Sequence, residues 1–356
     1  MFVYFNKFKK KGNYSYNTGS LKKGDRIAAL SLSSGMAGDK DILWRYEQGK
    51  KQLEEIGFKV VEYPLTLAGS DIVYHNPKKR ADDLHQALLD KRIKGIIATI
   101  GGIESYRLFE FVDLEVIKNN PKIFIGYSDA TSVHQMFQQA GVVSFYGPAI
   151  LTDFAENGGV FDFTREVFEE VLIKNNANYT YPHRKEWTSE FLAWDFSNKD
   201  KRRKLQVNEE LIVLQGSQKI SGKLMGGCLE VLSMLRGTEL YPKKELFQEA
   251  ILLLETSELT PEPSFVEIEL RTMGVMGNLQ LINGIVFGKP MDNKYFNEYQ
   301  EVILKVLKEF NLENLPVFYN ASFGHTEPKW TLPLGVLAEM DLENKTLKIL
   351  EKATKN

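Results

Sequence analysis

The chain of 356 residues has one cysteine, Cys228, so neither a disulfide nor a cysteine-based zinc site can be built within a single copy. It also lacks an excess of charge: 45 lysines and arginines stand against 47 aspartates and glutamates, a net charge of -2. That balance leaves no electrostatic footprint for nucleic acid or an anionic membrane, and small neutral or mixed-charge ligands fit it better. No segment reaches the roughly 18 apolar residues of a membrane span. The opening Met1 to Ser20 carries Lys7, Lys9, Lys10 and Lys11, but no apolar run of about seven or more follows, so a secretory signal is not expected. A lone thiol is compatible with a reducing compartment, and a cytoplasmic location is expected. Histidines are scarce as well, five in all, which narrows the search for a general base.

What is present is the composition of a globular protein, 43% hydrophobic and 26% charged, with no internal repeat. The length exceeds what one core usually serves, and about 150 residues per domain suggests two. We read 1–20 as an extension outside the fold, 21–165 as an α/β domain, 166–209 as a connection with a surface excursion, and 210–356 as a smaller mixed α+β domain. In the first unit, short β-rich runs alternate with helical patterns, the signature of a doubly wound parallel sheet. Strands are predicted over Arg26–Leu32, Phe58–Tyr63, Lys94–Ile100, Ile123–Ile125 and Val142–Phe145. Helices are predicted over Asp39–Ile56, from Pro77 through Leu88, and over Glu104–Val116. Between about Asp153 and Glu209 the rhythm is lost, and the run Lys199 to Lys204 reads as a solvated face or a loop. In the second unit, strands are expected over Leu211–Leu214, Lys219–Lys223, Ala250–Leu254, Gly284–Phe287, Val317–Tyr319 and Gly335–Met340.

Ligands bind beyond the carboxyl ends of the strands in such sheets, and two features fall there: Gly101-Gly102 and Ser128. The stretch Gly126-Tyr127-Ser128-Asp129-Ala130 matches the start of the nucleophile-elbow pattern G-x-S-x-G, with Ala130 in place of the last glycine. An ordinary helix cap is the competing reading of Ser128. Backbone N–H groups freed by Gly101-Gly102 can form an oxyanion hole, while the spacing fits neither dinucleotide nor P-loop fingerprints. A serine needs a base and an orienting acid. His85 lies on a helix, His134 on the helix after Ser128 with its side chain expected to project away from the corner, and His75 and His183 in polar loops. His325 sits in a loop directly after a strand, between Gly324 and Pro328, where catalytic groups are commonly carried. Glu255 closes an apolar strand and is the candidate acid, with Glu258 as competitor.

In order and spacing these segments resemble the LD-carboxypeptidase family of serine peptidases, in its branch that includes the microcin C immunity proteins. The resemblance runs from about Leu21 to Leu350. It rests on Leu21 to Asp25, Arg80 to His85, Ala98 to Gly102, Phe124 to Asp129, Phe145 to Pro148, Gly226-Gly227, Leu254 to Glu258 and Phe323 to His325. It implies a flavodoxin-like amino-terminal domain, a Ser128–His325–Glu255 triad, an oxyanion hole from the N–H groups of Gly102 and Asp129, a homodimer, and no metal or organic cofactor. The implied substrate is a small amide, either an L,D-muropeptide or an aminoacyl-nucleotide. Cys228 stands where the family commonly has asparagine, which puts the substrate in question. Candidate substrate contacts are Gly101, Trp187, Trp194 and Cys228. The tryptophans could stack on a base or simply anchor the excursion. A two-domain binding protein without turnover is the alternative from another class.

Overall fold

The structure, a computed structural model, describes residues 18–355. Two sheets carry the fold. The first has six strands in the order Leu332–Leu334, Ser144–Tyr146, Ile123–Gly126, Ile93–Ala98, Arg26–Leu30, Lys59–Glu62. All neighbours are parallel except Leu332–Leu334, which runs antiparallel to Ser144–Tyr146. The strands are apolar on both sides because both faces are covered. Ile27 and Ala29 pack with the helices Leu43–Ile56 and Asp162–Glu169, whereas Ala28 and Leu30 pack with Pro77–Leu89 and Ala130–Gln139. The first long helix ends where its glycine allows: Gly57 adopts φ 118° and donates to Glu54 O.

The second sheet has seven strands in the order Thr346–Ile349, Leu337–Asp341, Ile220–Cys228, Ile251–Glu255, Gly284–Gly288, Val317–Ala321, Ile212–Gln215. It is mixed. The four strands from Ile220–Cys228 to Val317–Ala321 are parallel, and the flanking ones are antiparallel. Helices Leu229–Leu235, Pro263–Val275 and Phe296–Glu309 cover one face through Leu252, Leu254, Ile285 and Phe287. The other face, through Leu224, Ile251, Leu253 and Val286, joins the core that also holds the first sheet's Ile125 and Phe145.

Several expectations are corrected. Thr18 is buried, Gly19 pairs with Lys355, and Ser20 donates to Lys355 O, so the last three residues of the 1–20 extension belong to the fold. The rest of that extension, 1–17, lies outside the described residues. The single helix expected over Glu104–Val116 is instead a 3-10 turn Ser105–Leu108 and a helix Leu114–Asn119, because the Asp113 side chain caps a new start by accepting from Glu115 N. The irregular stretch after Asp153 contains a helix, Asp162–Glu169, whose Thr164, Val167 and Phe168 face the core. Leu332–Leu334 was not expected either. Its Pro333 argues against a central strand, and it lies at the edge of the first sheet, where proline is tolerated.

That edge strand has a consequence for the site. The segment after Val317–Ala321 leaves the second sheet, runs through His325, and ends in the first sheet at Leu332–Leu334. The His325 loop therefore bridges the two sheets.

Candidate active site

Adjacent parallel strands, paired Ile97 to Ile125, bring Gly101 and Ser128 out at the same sheet end. Ser128 takes φ 61°, a left-handed backbone that a non-glycine residue holds only when its surroundings force it. The surroundings are tight: a Cβ added to Gly101 would lie 2.9 Å from Ser128 Cβ and 3.1 Å from its Oγ. Ser128 thus stands at a strained strand-to-helix corner, with the helix Ala130–Gln139 beginning two residues on.

The next residue does work that its sequence position did not reveal. The buried Asp129 carboxylate accepts from Ser33 Oγ (2.5 Å), Glu104 N (2.8 Å) and Ser105 N (2.7 Å), tying the glycine loop to the corner. Among the described residues, no acceptor engages the backbone N–H of Gly102 or of Asp129 itself.

From the second sheet, Glu255 ends its strand fully buried, and His325 Nδ1 donates to Glu255 Oε2 at 2.7 Å. Gly324 permits this approach: at φ 96°, a Cβ there would fall 2.6 Å from Glu255 Oε2. Burial alone would lower the His325 pKa, but the charge of Glu255, its hydrogen bond and Glu258 together lift it above the ordinary value. Burial likewise pushes Glu255 up, and the imidazolium beside it with the bonds from His325 and Tyr146 brings it below the usual carboxylate range. Glu258 Oε2 lies 3.1 Å from His325 Nε2.

Tyr146 joins the two halves. Its hydroxyl accepts from Ser128 N at 3.0 Å and donates to Glu255 Oε1 at 2.5 Å. A run of contacts therefore passes from the Ser128 backbone through Tyr146 and Glu255 to His325. In sequence Tyr146 belongs to the Phe145 to Pro148 segment, which carries no site assignment of its own. A hydroxyl closing an apolar strand next to the serine strand was the available signal.

Behind the histidine loop lies a buried charge cluster. Lys329 Nζ is 2.9 Å from Asp153 and 2.7 Å from Glu327, and 3.6 Å from the centre of the Tyr127 ring. Burial and the Asp153 charge push the Glu327 pKa well above the ordinary range, while Lys329 holds Asp153 below its own. The Tyr127 ring in turn packs edge-on to His325, with centroids 5.0 Å apart.

A cavity of about 400 Å³ opens over these groups, lined among others by Gly101, Gly102, Ser128, His325, Trp194, Arg45 and Glu258. The excursion supplies one wall through Glu190, Phe191, Leu192, Trp194 and Arg203. Within Lys199–Lys204, read as a solvated face or a loop, Arg203 departs: its side chain turns inward and pairs with the buried Glu156. Arg45 stacks on Trp194, 4.3 Å from the ring centre.

Two expected substrate contacts lie elsewhere. Trp187 is 2% exposed and packs under Lys289, 4.1 Å from its ring centre, so it anchors the excursion. Cys228 is fully buried at the end of its strand, its N–H donating to Thr131 Oγ1, and it does not line the cavity. His134 also departs from expectation: its Nε2 bonds back to Gly126 O at 2.9 Å, beneath the corner, and burial holds its pKa down at about 4. His85 accepts from Asp113 N, and His75 bonds within its own helix.

Comparison with known proteins agrees with this arrangement at the level of the whole chain. Residues 27–147 match the family model described as the LD-carboxypeptidase N-terminal domain, and residues 221–340 match the LD-carboxypeptidase C-terminal domain. A putative carboxypeptidase of Vibrio cholerae is 31% identical over 94% of this chain and 98% of its own length. The microcin C7 self-immunity protein MccF of Escherichia coli is 32% identical over 86% of this chain and 88% of its own. A solved structure of MccF in complex with aspartyl sulfamoyl adenosine superposes with a TM-score of 0.84 at 30% identity, covering 95% of this chain and 99% of that one.

Proposed function

The chain belongs to the LD-carboxypeptidase family, in the branch that includes the microcin C immunity proteins, and from that premise we propose a serine hydrolase that cleaves the amide of a small aminoacyl-nucleotide. One observation carries the reading: Ser128 and His325 line the same cavity, and contacts through Tyr146 and Glu255 tie one to the other.

In this mechanism Ser128 Oγ attacks the amide carbonyl carbon and its proton passes to His325 Nε2. Glu255 holds the imidazole by Nδ1 and stabilises the imidazolium that forms. The N–H groups of Gly102 and Asp129 donate to the oxyanion. The C–N bond then breaks, His325 gives its proton to the leaving amine, and water repeats the sequence on the acyl-serine. The strained φ of Ser128 supports the role of nucleophile, since strain of this kind clusters at functional sites.

The aminoacyl-nucleotide is favoured over a muropeptide by the aromatic wall. Trp194 offers a ring to a base, and stacking of this kind is worth roughly 1–3 kcal/mol. The MccF structure with a bound aspartyl sulfamoyl adenosine supports the same ligand class. The family resemblance adds a homodimer in the cytoplasm to the proposal. No helix among the described residues is long and apolar enough to cross a membrane.

The test is cleavage of an aminoacyl sulfamoyl adenosine beside an L,D-tetrapeptide, followed by chromatography of the products. Wild type should release the nucleoside, and Ser128→Ala should lose about 10⁴-fold or more in kcat/KM. Equal rates for the two proteins on every substrate would remove Ser128 from the mechanism.

A further inference from the structure

Past Glu255 the chain turns through Thr256, Ser257 and Glu258, and the turn is fixed from behind. Ser257 donates to Glu230 Oε1 from its N at 2.8 Å and from its Oγ at 2.7 Å, and Leu259 N donates to Ser257 Oγ at 3.2 Å. The Glu258 side chain itself is 61% exposed and lines the cavity. Among the described residues its carboxylate has one charged partner, His325 Nε2. That is the nitrogen that must take the serine proton, since Nδ1 is committed to Glu255. A carboxylate on Nε2 favours the doubly protonated imidazole, which cannot act as a base.

The position of Glu258 also fixes what it can meet. A base lies within hydrogen-bond reach of the reacting group, so a carboxylate on that base stands among the substituents flanking the scissile carbonyl. The cations in the lining are already engaged. Arg203 pairs with Glu156, and Arg45 donates to Leu151 O and Asn157 Oδ1 while stacking on Trp194. Lys329 is outside the lining, buried between Asp153 and Glu327. The cavity thus presents a negative group beside the reacting bond, while Arg203 is held in an ion pair and Arg45 in hydrogen bonds and a ring stack that a substrate carboxylate would have to compete with.

We propose that Glu258 selects amides whose acyl part bears a free α-ammonium group and rejects amides flanked by a free carboxylate. The inference rests on the serine hydrolase reading above. An ammonium next to the carbonyl draws the Glu258 carboxylate off Nε2 and leaves that nitrogen to Ser128, so the right substrate both binds Glu258 and frees the base. A terminal carboxylate meets repulsion and leaves His325 paired. Glu258 is then a specificity residue that acts on the substrate and on the protonation of His325 together, and the activity it permits is that of an aminoacyl amidase more than that of a carboxypeptidase.

The experiment uses the full chain and three probes: leucyl sulfamoyl adenosine, its N-acetyl derivative, and an N-acetyl dipeptide with a free carboxylate. Wild type should prefer the free amine over the N-acetyl probe by about 100-fold in kcat/KM, with the dipeptide cleaved least. Glu258→Gln should reduce that preference at least about tenfold, by raising KM for the free amine and speeding the N-acetyl probe, whereas Glu258→Asp keeps most of it. Matching thermal melts would show that the variants are folded. An unchanged preference in Glu258→Gln, with cleavage still dependent on Ser128, overturns the inference and leaves the hydrolase reading standing. Faster cleavage of the dipeptide than of the free amine by wild type overturns it too. No Ser128-dependent cleavage of any probe defeats the hydrolase reading itself, and the inference with it.

Discussion

Ser128 is held by its own backbone: a parallel strand behind it, a helix in front, and a glycine loop pressed against it and tied down by Asp129. His325 has no such frame. Its loop runs between two sheets, closed by a backbone bond from Trp330 N to Ser322 O, and what fixes the imidazole is side-chain chemistry: Glu255 on one side, the Tyr127 ring on another, and the Lys329, Asp153 and Glu327 cluster beneath. The excursion is clamped to the same loop, because Thr188 and Glu327 exchange backbone hydrogen bonds and Arg184 donates to Pro328 O. The two halves of one site therefore differ in what can damage them. A corner built from backbone fails when atoms are added, and a loop built on buried charge fails when a charge is removed.

The largest effect should come from Lys329→Met. It leaves Asp153 and Glu327 buried without their cation, and breaking a buried pair from one side costs about 3–5 kcal/mol. Urea denaturation should show that loss together with a collapse of activity, since the floor under Tyr127 and the His325 loop goes with it. A melt equal to wild type would mean that the cluster does not hold the loop.

Gly101→Ala should act the other way round. The new methyl would press on Ser128 Cβ and Oγ, so kcat should fall about 100-fold from a displacement near 1 Å, while overpacking costs stability only about 1–3 kcal/mol. If this variant lost as much stability as Lys329→Met, the contrast between a backbone corner and a charged loop would be false.

The contrast also explains what could be read in the sequence. The corner was legible because its causes are local: an apolar run, Gly126, and a helix start within a few residues. Glu255 and His325 were legible as polar residues at strand ends. Asp129 as a tie to the Glu104–Ser105 backbone was not, because that contact spans 24 positions and no periodicity encodes it. Lys329 and Asp153 are farther apart still, and a lysine before Trp330 gives no sign that it is buried. Pro333 pointed away from a strand, yet the strand it sits in delivers the His325 loop to the first sheet. Trp187 and Trp194 look alike in sequence, and only packing separates an anchor from a cavity wall.

The smallest effect tests the link between the halves. His325 must be neutral to accept the serine proton, and Glu255 and Glu258 hold its pKa above the ordinary 6.5. Activity should therefore rise with pH through a midpoint above 6.5, because the pair keeps the imidazole protonated longer than water would. Tyr146→Phe removes the hydroxyl that donates to Glu255 Oε1, which leaves more negative charge facing the imidazole and favours its protonated form. The midpoint should move further up by less than about half a unit, with kcat at the plateau down about tenfold as Ser128 N loses its acceptor. A midpoint that moves down on losing the hydroxyl would mean that Tyr146 couples to His325 by a path other than Glu255.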